Sequence, residues 1–231
     1  MTTTLITGAN KGLGHEAARL LIEAGHDVYL GARAPERGAA AARALGCRFV
    51  PLDVLDEESV AAAASTIEKE QGALDVLVNN AGIAGGAMPA QETTAEDVQR
   101  VFATNVFGVV RVTRAFLPLL LRSAAPVIVN VSSGLGSLAL TTDPTLLWSA
   151  WRGLAYPSSK AALNMLTSQY AKNFPQIRIN AVDPGYTATD LNGHRGTQTV
   201  EDGAEVIVAM ATIASNGPTG GFFNRHGAVP W

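Results

Sequence analysis

The chain has 231 residues, of which 47% are hydrophobic and 16% charged, with a formal net charge of -3 and a pI near 5.8. That balance gives no electrostatic reason to expect a nucleic-acid or anionic-membrane partner. The length suits one α/β domain spanning residues 1–231 around a single large core.

Cys47 is the only cysteine, so no intramolecular disulfide can form, consistent with a reducing compartment. Residues 1–6 lack the basic start and apolar core of a signal peptide, and no later run reaches the roughly 18 apolar residues of a membrane span. A cytoplasmic protein is therefore expected. His15, His26, His194 and His226 are scattered without ligand-like spacing, and one cysteine cannot build a thiolate zinc site, so no metal is expected.

Short runs rich in valine and isoleucine alternate with longer alanine-rich segments of helical period, the pattern of βαβ units around a buried parallel sheet. Strands are predicted over residues 4–6, 27–31, 48–51, 76–79, 127–131, 177–182 and 221–224. The first leads into Thr7-Gly8-Ala9-Asn10-Lys11-Gly12-Leu13-Gly14 and a predicted helix over 15–24. Three glycines permit a tight turn and the close approach of a pyrophosphate, while the helix start supplies unpaired N–H groups and a favourable dipole. The spacing is Gly-x-x-x-Gly-x-Gly, and a plain strand-to-helix turn is the other reading of such a cluster.

After the second strand, Leu30-Gly31-Ala32-Arg33 puts an arginine where an acidic residue would otherwise take the ribose hydroxyls of NAD. A guanidinium there suits a 2′-phosphate, and Lys11 offers a second cation, so NADP(H) is preferred over NAD(H). Two solvated surface charges are the alternative. The third strand closes on Asp53-Val54, where Asp53 suits either an adenine amine or a helix N-cap. The fourth ends in Asn79-Asn80-Ala81-Gly82, whose asparagines can serve the backbone and line a cofactor together.

A helix predicted over 95–121 carries Asn105 among apolar neighbours, where a buried amide must find partners; holding a water or opening a backbone bond are two ways, and a structural role is the ordinary reading. The fifth strand delivers Ser132-Ser133-Gly134 at a carboxyl end, with Ser133 either a ligand contact or a turn cap. Tyr156-Pro157-Ser158-Ser159-Lys160 then opens a helix on which positions four apart share a face. A positive charge beside a phenol favours the phenolate and lowers a pKa that is ordinarily about 10. Alone, such a pair is more often a packed ring beside a solvated amine. The sixth strand runs into Asp183-Pro184-Gly185-Tyr186-Thr187-Ala188-Thr189-Asp190. Its Pro-Gly turn exposes backbone groups that can grip a carboxamide, and Thr189 adds a hydroxyl for phosphate.

Taken in order, Thr7-Gly8-x-x-x-Gly12-x-Gly14, Asn79-Asn80-Ala81-Gly82, Asn105, Ser133, Tyr156-x-x-x-Lys160 and Pro184-Gly185-x-x-x-Thr189 resemble the short-chain dehydrogenase/reductase family over essentially the whole chain. Gly8-Ala9-Asn10-Lys11-Gly12, Gly31-Ala32-Arg33 and the stretch from Gly220-Gly221-Phe222-Phe223-Asn224 to Trp231 look like its NADPH-dependent carbonyl reductase branch.

The resemblance implies a single-domain Rossmann-type doubly wound sheet of about seven parallel strands with helices on both faces. It implies a catalytic tetrad in which Tyr156 gives a proton to the carbonyl oxygen and Ser133 positions that oxygen. Lys160 would lower the tyrosine pKa and bind the nicotinamide ribose, and Asn105 would hold a water linking Lys160 to solvent. The cofactor set it implies is Gly8, Asn10, Lys11, Gly12, Leu13, Gly14, Arg33, Asp53, Val54, Asn80, Ala81, Gly82, Tyr156, Lys160, Pro184, Gly185, Thr187 and Thr189. The expected activity is NADPH-dependent reduction of a ketone, aldehyde or quinone, with a small carbonyl or alcohol compound as partner. An alcohol dehydrogenase working in reverse and a non-catalytic NADP-binding sensor or scaffold are the rivals.

Two segments depart from the family pattern. An insert at about 138–155 carries Trp148 and Trp151, which either line a substrate mouth or pack the insert onto the domain. Because larger inserts here block the usual oligomer interface in some carbonyl reductases, a homo-oligomer and a monomer both stay open. The segment at about 190–200 is short and polar, which predicts an open site without a helical lid.

Overall fold

The structure, a computed structural model, describes residues 1–86 and 88–231. Its centre is an eight-stranded sheet made by β1 (Thr3–Thr7), β2 (Asp27–Ala32), β3 (Arg48–Pro51), β4 (Val76–Asn79), β5 (Val127–Val131), β6 (Arg178–Val182), β7 (Phe222–Asn224) and β8 (Gly227–Ala228). The spatial order is β3-β2-β1-β4-β5-β6-β7-β8. The first seven strands run parallel, as the pattern predicts, and the eighth is a two-residue antiparallel addition to β7. Gly227, at φ 127, allows the chain to turn back there.

Central strands are apolar on both faces because helices cover both. All five residues of β1 and all five of β5 are buried. Alternation sorts neighbours to opposite sides. Leu5, Leu77 and Ile128 join one core cluster, against α3 (Glu57–Gln71) and α5 (Gly108–Leu120). Ile6, Val78 and Val129 join the other, against α1 (Gly12–Glu23), α2 (Pro35–Leu45) and α8 (Val200–Ala211).

The predicted helix over 95–121 is broken into α4 (Ala95–Phe102), a π-helical turn (Ala103–Phe107) and α5. Asn105 lies in the π turn, so the opened backbone expected of a buried amide is present. In the insert, α6 (Leu138–Thr142) and a 3₁₀ turn over Leu147–Ala150 precede α7 (Ala155–Asn173). Ser137 Oγ donates to the Pro230 carbonyl at 2.7 Å, the Ala139 N–H donates to the Trp231 carbonyl, and Trp231 stacks on Phe222. The last residues thus tie the start of the insert to β7.

The connections from β1 and β4 leave in opposite directions, because β2 and β3 lie on one side of β1 and β5 to β7 on the other. This reversal opens a crevice at the carboxyl ends of the two strands, the place where such sheets hold ligands.

Candidate active site

Residues 7–14 turn tightly at the end of β1. Gly8 and Gly12 sit at φ 65 and 59, a backbone region costly for a residue with a side chain. A Cβ at Gly14 would lie 2.4 Å from Asn80 Nδ2. Asn80 ties the two strand ends together, its Nδ2 donating to the Thr7 and Gly8 carbonyls at 2.8 and 3.2 Å. Thr7 Oγ1 accepts from the N–H groups of Asn80 and Ala81 at 3.0 Å.

Helix α1 begins without a side-chain cap and without an acidic residue in its first turn, whereas α3 is capped by Asp56 and α8 by Thr199, each with acidic first turns. Its free N–H groups and positive dipole end therefore remain available to an anion. Asn10 and Leu13 are half-buried beside it. Across the cleft, the Thr189 methyl lies 3.8 Å from a Cβ built at Gly12, so the segment after β6 covers the glycine turn.

Arg33 is exposed just beyond β2 and has no ion-pair partner among the described residues. Lys11 is engaged, donating to Asp190 at 2.5 Å, and Asp190 also bonds His194 at 2.7 Å. The expected N-cap role of Asp53 falls to Asp56, which accepts from the Glu58 N–H. Asp53 instead accepts from the Leu55 N–H at 3.0 Å, in a turn that leads into buried Val54.

The Pro184-Gly185 turn is closed by the Thr187 hydroxyl, which donates to the Pro184 carbonyl at 3.0 Å, and by Gln198, which donates to that same carbonyl. The Thr187 side chain is therefore spent inside the loop. The stretch beyond Thr189 forms one 3₁₀ turn over Asp190–Asn192 and reaches α8 without a lid helix among the described residues.

The four predicted catalytic residues converge. Asn105 is 1% exposed, accepts from the Ile83 N–H at 2.9 Å and donates to the Ile83 carbonyl and to Ser159 Oγ. Ser159 in turn donates to the Tyr156 carbonyl at 2.7 Å, which couples Asn105 to the first turn of α7. Ser133 caps the short turn after β5 by accepting from the Leu135 N–H at 3.2 Å, and its side chain pulls the Tyr156 pKa down. The turn-cap reading of Ser133 is present, and the same side chain neighbours the phenol. A Cβ at Gly82 would lie 3.3 Å from Asn105 Oδ1 and 3.7 Å from Lys160 Nζ, so the end of β4 meets the same cluster.

Lys160 is 4% exposed, and its Nζ donates to the Val131 carbonyl at 2.8 Å. Burial without a carboxylate partner pushes its pKa down to about 8. The expected lowering of the phenol does not occur. Burial pushes Tyr156 up to about 12, with the Asp183 carboxylate raising it further and only Ser133 opposing. The ammonium lies over the tyrosine ring, 5.5 Å from its centroid, where it does not outweigh desolvation.

Sequence reasoning missed Asn164 and Asp183. Asn164 is one helical turn past Lys160, accepts from Ser132 Oγ at 2.6 Å and donates to the Gly136 carbonyl at 3.1 Å. It holds the segment bearing Ser133 against the helix bearing Tyr156 and Lys160. The i, i+4, i+8 spacing of Tyr156, Lys160 and Asn164 carried that signal. Asp183 is 4% exposed and accepts from the Gly185 N–H at 3.0 Å, and burial pushes its own pKa up.

Residues 2–200 match the family described as short chain dehydrogenase. The chain is 39% identical over 224 residues to "Short-chain dehydrogenase anuI" of Penicillium roqueforti, covering 91% of this chain and 88% of that protein. It is 32% identical to "Carbonyl reductase [NADPH] 1" of Bos taurus, covering 98% and 97%. That alignment runs over 274 positions, more than the 231 residues here, so the bovine protein carries insertions that this chain lacks. Among solved structures, NADPH-bound carbonyl reductase from chicken fatty liver superposes with a TM-score of 0.88 at 29% identity, covering 100% and 99%. Salutaridine reductase from Papaver somniferum does so at 0.85 and 30%, covering 97% and 100%.

Proposed function

The chain belongs to the short-chain dehydrogenase family, an oxidoreductase fold acting on C=O and CH–OH groups, and we propose that it is an NADPH-dependent carbonyl reductase of ketones, aldehydes or quinones. The convergence of Ser133, Tyr156 and Lys160 beside the glycine turn is the observation that carries this reading. The glycine turn, the uncapped start of α1 and the unpaired Arg33 fit a phosphorylated dinucleotide. Its 2′-phosphate falls to Arg33, with Lys11 as a second cation once Asp190 releases it.

When bound, the cofactor supplies hydride to the carbonyl carbon. Ser133 hydrogen-bonds the carbonyl oxygen and fixes its direction. Tyr156, protonated at neutral pH, delivers a proton to that oxygen as negative charge develops on it. Lys160 places a buried positive charge over the tyrosine ring, which favours the phenolate left behind. Asn105 lies in the π turn beside Gly82 and links it to the first turn of α7 through Ser159.

Oxidation of an alcohol uses the same groups in reverse, and Arg33 favours reduction only through the cofactor it selects. The test is NADPH consumption by purified protein with aromatic ketones, aldehydes, quinones and β-keto esters, with NADH run in parallel. Turnover that requires NADPH supports the reductase. Tight NADPH binding without turnover of any carbonyl or alcohol would favour a sensor or scaffold.

A further inference from the structure

Trp148 stands at the boundary between the catalytic groups and an empty space behind them. A Cβ built on Gly134 would lie 2.0 Å from Trp148 Nε1 and 2.8 Å from Cδ1, with Asp183 Oδ2 2.9 Å from the same point. The pyrrole edge of the indole therefore rests on the residue that follows Ser133, facing the carboxylate at the end of β6. Glycine at 134 is required because the indole fills the place of any side chain.

The same indole is a wall of a cavity of about 220 Å³, whose other borders include Leu135, Leu138, Trp151 and Pro157. Leu135 is two residues past Ser133 and Pro157 one past Tyr156, so the chain segments that carry the catalytic pair also border the cleft. None of the residues lining it is charged. The cleft is partly open to solvent and carries the Thr141 and Ser158 hydroxyls among apolar side chains; its volume exceeds the roughly 150 Å³ that admits benzene in an enclosed cavity, so it has room for a phenyl group. Trp148 makes no side-chain hydrogen bond among the described residues, and packing alone holds it in place.

The geometry points to Trp148 as a specificity-determining residue: it limits the carbonyl substituent beside Ser133 to a slim one and stands between that position and a cleft with room for an aryl ring. This rests on the reductase reading of the site. A smaller side chain at 148 joins the cavity to the catalytic centre and admits diaryl ketones. Shape-based exclusion in an apolar pocket is worth roughly 10- to 200-fold between close analogues.

The experiment compares kcat/KM for acetophenone and benzophenone, which differ by a methyl-to-phenyl exchange, in wild type, Trp148→Ala and Trp148→Phe. Trp148→Ala should raise the benzophenone-to-acetophenone ratio by roughly tenfold or more, while Trp148→Phe keeps it within about threefold of wild type. An unchanged ratio in a folded Trp148→Ala protein that binds NADPH as wild type does overturns the inference. If Trp148→Ala does not fold, Trp148→Leu carries the same comparison. If wild type reduces neither ketone, the reductase reading is judged separately, on the aldehydes, quinones and β-keto esters of the wider panel. Calorimetric titration of benzophenone into the NADP-loaded proteins then decides, tighter binding to Trp148→Ala supporting the role of Trp148 and equal binding overturning it.

Discussion

Lys160 Nζ stands 5.5 Å from the centroid of the Tyr156 ring and donates to the Val131 carbonyl at 2.8 Å. The ammonium is thus anchored to the end of β5 while it lies over the phenol, and both groups pay for burial in opposite directions. The tyrosine keeps its proton more firmly and the lysine holds its own less firmly.

For the lysine, the difference between 10.5 and about 8 costs the folded protein roughly 3 kcal/mol at neutral pH. The unfolded chain binds this proton more tightly, so stability rises with pH between about 8 and 10.5. Lys160→Met, stripped of nucleotide, should melt higher than wild type at pH 7, with the gap closing above pH 10.5. A lower melting temperature at pH 7 would show that the Val131 bond outweighs desolvation.

Tyr156→Phe removes the proton donor and keeps the ring. Turnover should fall at least roughly a hundredfold, the usual size of general-acid catalysis, while NADPH affinity stays within about threefold. Steady-state kinetics with a fluorescence titration of NADPH separates the two, and undiminished turnover would remove Tyr156 from the mechanism.

Arg33→Asp deletes the unpaired cation beyond β2 and sets an anion in its place. Loss of charge-assisted bonds predicts a KM for NADPH raised roughly 10- to 150-fold, with little change for NADH. Equal losses for both cofactors would sink the 2′-phosphate assignment.

Asn164→Leu leaves Ser132 Oγ and the Gly136 carbonyl without their shared partner. Unfolding should cost about 1–3 kcal/mol less, and kcat should fall more than the NADPH dissociation constant rises. Denaturant melts beside single-turnover rates test this, and a loss of stability with unchanged kcat would make Asn164 purely structural.

Gly14→Ala sets a methyl 2.4 Å from Asn80 Nδ2 and 3.0 Å from the Ala9 Cα. The glycine turn must shift, so the variant should lose roughly 1–3 kcal/mol of stability, as is typical of overpacking, and bind NADPH more weakly. A wild-type dissociation constant would show that the turn tolerates displacement.

The sheet was legible because central parallel strands are apolar on both faces and end in glycine, asparagine or serine. Tyr156, Lys160, Ser133 and Asn105 were legible as motifs. What escaped was set by distance in space. That Lys11 would meet Asp190, 179 positions away, or that Trp148 would seat on Gly134, depends on loop paths that no local pattern encodes. Neither could the tyrosine pKa be read from spacing, because the helix places the two side chains on one face without saying how dry that face is. Asn164 was readable from helical spacing alone, yet an asparagine on an apolar helix has no fixed meaning until its partners are known.

The bond from Ser137 to Pro230 joins positions 93 apart. On a ribosome, every part of the glycine turn and its Asn80 brace is available once residue 82 has been made, whereas the insert with Trp148 lacks its tie until residues 222–231 follow. Domains are synthesised from the amino end, and long-range contacts close late. The glycine turn and its brace therefore belong to the first-made part of the molecule, while the tie that anchors the insert belongs to the last-made part.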